Sequence, residues 1–256
     1  MALLNSFNTG VAGIKTFSKS LEVIGDNIAN VNTTGFKGSR VSNKDNYSFT
    51  LNEGNAGGPP SSNPTQIGSG SSVGSISQKF TQGVLSATGS PTDLGISGSA
   101  FFKITGHPDG DMFTRAGDFR LNTSGELVTS EGYKVDGATA ILNVDSFKID
   151  KDGTVTTFKN GVSTGAGKIT MWTLPNPNGL KREGNNLLSN INGAAGTPAA
   201  AVAGTSEIIQ GTLELSNVDL TQEFSDLIVA QRAFQSNSRV ITVSDSVMEE
   251  IVNLKR

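Results

Sequence analysis

Residues 217–256, NVDLTQEFSDLIVAQRAFQSNSRVITVSDSVMEEIVNLKR, decide how the rest of the chain must fold. Leu220, Leu227, Phe234, Ile241 and Met248 recur every seven residues, and Phe224, Gln231, Ser238, Asp245 and Val252 form a second series between them. Alternation at four and three residues is an a/d seam, sustained here over about five heptads. Asp219 followed by Gln222 and Glu223 predicts the helix start, with a side-chain acceptor at the cap and acid in the first turn. A helix of this length runs roughly 50 Å. Its apolar stripe is too long for a small β domain to cover, so it requires another helix.

The other end of the chain supplies one. Leu4, Val11, Ser18 and Gly25 alternate with Phe7, Ile14, Leu21 and Ile28 in the same four-and-three pattern, and Phe17, Ile24 and Val31 add a second apolar edge. The expected fold is therefore α+β: long N- and C-terminal helices paired as a coiled coil, with an inserted antiparallel β-rich domain. Two ordinary amphipathic helices lying on one globular core would show the same pattern. The polar positions Gln231, Ser238 and Asp245 cost stability in a seam and serve best to fix register or partner.

Composition narrows the function classes. The net charge is −3, from 20 basic and 23 acidic residues, and no basic run points to nucleic acid. No apolar run approaches the roughly 20 residues of a membrane helix. The N-terminus lacks the charged and apolar regions of a secretory signal, so the expectation is a cytoplasmic protein or one exported without a cleaved signal. With no cysteine, disulfides and thiol chemistry are excluded. A glycine count of 31 against 35% hydrophobic residues suits a turn-rich β protein with a modest core.

Five zones follow along the chain. Residues 1–42 hold the first helix and a turn, which Asn27, Asn30, Gly35 and Phe36 help to end. Residues 43–75 contain Gly57-Gly58-Pro59-Pro60 and read as a flexible linker. Residues 76–191 carry short strand-like runs separated by Asp109-Gly110, Ser124-Gly125, Glu131-Gly132, Asp136-Gly137, Asp152-Gly153 and Asn160-Gly161. Glycine there supplies the positive φ of tight hairpins. Residues 192–215 read as a flexible segment and return strand, and 216–256 as the C-terminal helix, with Asn217 and Asp219 at its start.

Chemistry is scarce. The one histidine, His107, precedes Pro108-Asp109-Gly110 and reads as a solvated turn residue. The glycines of 68–74 are misplaced for a phosphate cradle, and Asp150-Lys-Asp152-Gly153 lacks the distal Glu of a calcium loop. The expectation is a protein that is not an enzyme, with no cofactor, metal or small-molecule substrate.

Four motifs carry a resemblance. DNIANVNTTGFK (26–37) closely resembles the N-terminal motif of bacterial flagellar axial proteins, the rod and hook subunits. SNVDL (216–220) and IVAQRAF (228–234) resemble their C-terminal motif. DLGISGSAFF (93–102) and FTRAGDF (113–119), continuing to GELVT (125–129), resemble their β-domain motifs, and all stand in family order. The resemblance implies terminal helices that stack into a tubular core beneath an outer β layer. It also implies export through the flagellum's own type III apparatus, and partners that are further copies of the chain and the neighbouring rod, hook, junction and cap proteins. The terminal sequences resemble a short hook-type subunit, which would transmit torque from motor to filament. A distal rod subunit is the alternative, because there is room for only one outer domain. A secreted β-rich adhesin stands behind both, since it gives no reason for paired heptads. The expected assembly interface is Phe7, Val11, Ile14, Leu21 and Ile28 with Leu220, Phe224, Leu227, Gln231, Phe234, Ile241 and Met248.

Overall fold

The computed structural model describes residues 2–54, 63–137, 141, 144–160, 162–202 and 204–254. The chain divides into two compact units. Unit 1 comprises 1–29, 39–77 and 219–256, and unit 2 comprises 30–38 and 78–218.

Unit 1 is built on two helices, α1 (Ala2–Ala29) and α2 (Leu220–Leu254). Asp219 caps α2 as expected: its Oδ1 accepts the Thr221 amide at 2.9 Å. The helices run antiparallel, since Gly10 lies beside Ile241, Gly13 beside Asn237, and Asn27 bonds Glu223 near the start of α2.

The segment read as a flexible linker is largely β structure in its described part. Ser39–Asp45 pairs with Ser71–Gln78, and Ser48–Asn52 pairs antiparallel with Thr65–Gly68. The reason is a period-two pattern hidden in a polar composition: Tyr47, Phe49 and Leu51 alternate with Ser48, Thr50 and Asn52. Gly57-Gly58-Pro59-Pro60 lies outside the described residues.

Unit 2 is the antiparallel β domain. Its main sheet runs in the order Lys181–Gly184, Leu187–Ser189, Gly110–Thr114, Phe101–His107, Lys134–Val135, Leu127–Val128, Arg120–Leu121, with Met171–Thr173 also pairing to Phe101–His107. Alternation along the strands separates two apolar clusters. Phe102, Ile104 and Met112 enter the larger one with Leu94, Ile96 and Leu127, whereas Phe101 and Phe113 join Leu174, Leu180 and Leu188 in the smaller. A second sheet of three strands is formed by Ser146–Ile149, Thr154–Lys159 and Val162–Lys168. The return strand expected within 192–215 is two strands, Glu207–Gln210 and Thr212–Glu214, divided at Gly211 with φ +74°. Positive φ occurs at Gly110, Gly125, Gly132, Gly137 and Gly153, the turn positions read from the sequence. Gly161 lies outside the described residues.

Candidate assembly interface

The face that α2 turns toward α1 is marked by Glu223, Leu227, Ala230, Phe234, Asn237, Ile241 and Ser244, which are half-buried or buried among exposed neighbours. One expected series, Leu227, Phe234 and Ile241, is therefore on the seam. The other is displaced by one residue: Glu223, Ala230, Asn237 and Ser244 stand where Phe224, Gln231, Ser238 and Asp245 were expected. Phe224, Gln231 and Asp245 are exposed and Ser238 is half-buried, so the polar positions facing α1 include Glu223, Asn237 and Ser244 but not Gln231. Leu220 and Met248, at the two ends of the expected seam, are also exposed.

Small residues explain the shift. A Cβ on Gly13 would stand 2.7 Å from Asn237 Oδ1, and one on Gly10 would stand 3.2 Å from Ile241 Cγ1. Both glycines let the helix backbones approach more closely than large side chains would allow. On α1, Val11, Ile14, Leu21 and Ile28 are half-buried, while Phe7 is exposed.

Much apolar surface is left uncovered in unit 1. Val229, Val240, Val243, Ile251 and Leu254 fall at helical spacing along one exposed side of α2, and Phe224 (51% exposed) and Ile228 stand on another. The hairpin formed by Ser48–Asn52 and Thr65–Gly68 presents Phe49 opposite Ile67, flanked by Tyr47 (79% exposed) and Leu51. Stripes of this extent are unusual on a soluble monomer and mark interaction surfaces.

Of the asparagines expected at helix ends, Asn27 and Asn217 also bridge separate chain segments. Asn27 is buried; it accepts the Ser39 amide at 2.8 Å and donates to Ser39 O at 2.9 Å and Glu223 Oε1 at 3.1 Å, tying three segments of unit 1 together. Asn217 accepts the Gly38 amide at 2.9 Å and donates to Lys79 O at 2.6 Å. Asn30 holds the turn after α1, where its backbone carbonyl accepts the Thr33 amide at 3.1 Å. In unit 2, Gly35 adopts φ +67° against the Ala116 backbone, and Phe36 is buried beneath the Arg182 guanidinium, 4.7 Å from its ring centre.

No signal in the sequence pointed to the charged cluster inside unit 2. Glu214, fully buried, bonds Lys37 Nζ at 2.6 Å and Arg115 Nη1 at 3.2 Å. Burial pushes the Lys37 and Arg115 pKa values down, while Glu214 pulls both up. The cluster borders a cleft of about 530 Å³ lined by Asn30, Asn32, Arg182 and Asn186 among others. His107 is in contact with Tyr133 at 4.9 Å between ring centres, and its Nδ1 accepts the Asp109 amide at 3.2 Å. Among the described residues, no group of three or more His, Asp or Glu side chains is placed to hold a metal ion.

Comparison with known proteins gives these surfaces a setting. Residues 7–37 match the family model "Flagella basal body rod protein", 95–157 match "Flagellar hook protein FlgE/F/G D1 domain", and 209–254 match "Flagellar basal body rod FlgEFG protein C-terminal". The chain is 45% identical over 268 residues to the flagellar basal-body rod protein FlgG of Bacillus subtilis, spanning 99% of this chain and 100% of that one. It is 35% identical over 264 residues to the protein of the same name from Caulobacter vibrioides, spanning 98% and 100%. The flagellar hook protein FlgE of Treponema pallidum is 38% identical over 134 residues, spanning only 51% of this chain and 29% of that protein. The chain belongs to the flagellar rod and hook protein family and is a structural subunit of the flagellar axis. Its full-length relatives favour the rod reading over the hook reading drawn from the terminal motifs.

Proposed function

We propose that this chain is a subunit of the distal rod, the drive shaft between motor and hook. The observation that carries this is the 45% identity to a basal-body rod protein over 99% of this chain and 100% of that one. The half-length match to a hook protein offers less. α1 and α2 form a coiled-coil pair, and copies of the chain stack by heterologous contacts that do not close into a ring, so the assembly grows as a helical tube. The helix seam, with Val11, Ile14, Leu21 and Ile28 on α1 and Leu227, Phe234 and Ile241 on α2, supports each subunit, and the exposed Phe7 is left for a neighbour. The surface that neighbours cover includes Leu220, Phe224, Gln231 and Met248 together with the exposed hairpin face. The subunit leaves the cell through the flagellar type III apparatus and works mechanically rather than by catalysis.

Deleting the gene tests the assignment. Basal bodies from such cells should end in a shortened rod with no hook. Basal bodies with a complete straight rod that lack only the curved segment would assign the chain to the hook instead.

A further inference from the structure

Unit 2 has three places where the chain enters or leaves it: the segment 30–38, the segment that begins at 78 and the segment that ends at 218. The buried charges converge on these segments. Glu214 Oε1 accepts from Lys37 Nζ at 2.6 Å and from the Gly83 amide at 2.8 Å, and Oε2 accepts from Arg115 Nη1 at 3.2 Å. Lys37 Nζ also donates to Thr81 O at 2.8 Å, and Arg115 Nη2 donates to Gly98 O at 2.7 Å. A second tier of bonds joins the same segments: Gly38 N to Asn217 Oδ1 at 2.9 Å, Lys79 N to Gly38 O at 2.7 Å, and Asn217 Nδ2 to Lys79 O at 2.6 Å.

We infer that Lys37, Glu214 and Arg115 form a clasp that pins the three segments together and opens as a unit without unfolding the sheet. Residues 37–38, 81–83 and 214–217 belong to neither apolar cluster, so their hold on one another is polar and directional. Buried polar networks of this kind fail together, because removing one charge leaves its partners buried and uncompensated. The clasp is also incomplete. Two cations share one carboxylate, and Arg115 Nε is buried with no hydrogen-bond partner among the described residues. It therefore opens more easily than the apolar sheet beside it, as local units of low stability do. This holds whether the chain serves in rod or hook.

Hydrogen exchange on the full-length monomer tests the clasp with Glu214→Gln, which keeps the shape and removes the charge. The informative amides are Gly38 and Lys79, neither of which bonds Glu214. Both should exchange at least tenfold faster, while Phe102, Ile104 and Met112 in the sheet keep their protection. Lys37→Met, which leaves Glu214 and Arg115 balanced, provides a second route should Glu214→Gln fail to fold; it too should speed Gly38 and Lys79 and spare the sheet. Unchanged Gly38 and Lys79 in the folded variants, or loss of protection throughout the sheet in step with them, would overturn the proposal.

Discussion

Gly35 occupies a position that no other residue type fits well. At φ +67°, an added Cβ would collide with the Ala116 backbone. Gly35→Ala should therefore cost about 2 kcal/mol or more, combining left-handed strain with a backbone clash; urea unfolding of the monomer measures it. Lys37 gives a prediction of opposite sign to the usual buried ion pair. Its pKa is lowered from 10.5, chiefly by burial, against the opposing pull of Glu214. A base with a lower pKa in the folded state loses its proton there first, so just below pH 10.5 the unfolded chain holds more protons and stability rises with pH. Urea midpoints measured across that alkaline window should rise more steeply than those of Lys37→Met. Equal slopes would contradict the lowered pKa. Gly35 and Phe36 could be singled out from local turn chemistry. The Lys37–Glu214 pair could not, because its members lie 177 residues apart and no short pattern links them.

At the scale of elements, the two helices were legible because a 3.5-residue apolar period over many turns has no other reading. Their contact face was only half legible. Weighting positions by hydrophobicity placed Phe224 inside. The helices instead approach at Gly10 and Gly13, and the face follows Ala230, Asn237 and Ser244. One residue turns a helix by about 100°, which moves Phe224 off the contact face and into the open. The two series therefore differ in what they do. Leu227→Asp puts a charge into the seam and should abolish polymerisation while unit 2 stays folded, as read by electron microscopy and by near-ultraviolet circular dichroism. Phe224→Ser, at an exposed position, should change monomer stability by no more than about 0.5 kcal/mol. Sedimentation of the same variant should nevertheless show weakened assembly. The β strands of 39–78 were missed because Gly, Ser and Asn dominate the composition there and mask a short alternation around Phe49.

The whole molecule is a β unit, unit 2, whose chain passes repeatedly into unit 1, made of two helices and two-stranded β pairs. Much of unit 1's apolar surface is exposed, whereas unit 2 has its own two-cluster core. Heptads at the ends and turn dipeptides between them predict helices flanking a β-rich middle, but not that 39–77 groups with the helices. The precise limits were not legible, since 30–38 follows the first helix in sequence but packs with the β unit. Limited proteolysis of the monomer should remove much of both helices and leave a fragment of about residues 30–218. Retention of both full helices after the β unit is cut would reverse that order of stability.

The most direct test of a rod subunit that polymerises through its terminal helices is cryo-electron microscopy of hook–basal bodies carrying a tag on the outer β unit. Tag density should decorate the outside of the straight rod, with α1 and α2 lining the tube within. Density on the curved hook would contradict the rod assignment, and the absence of density from the flagellum would contradict an axial role altogether.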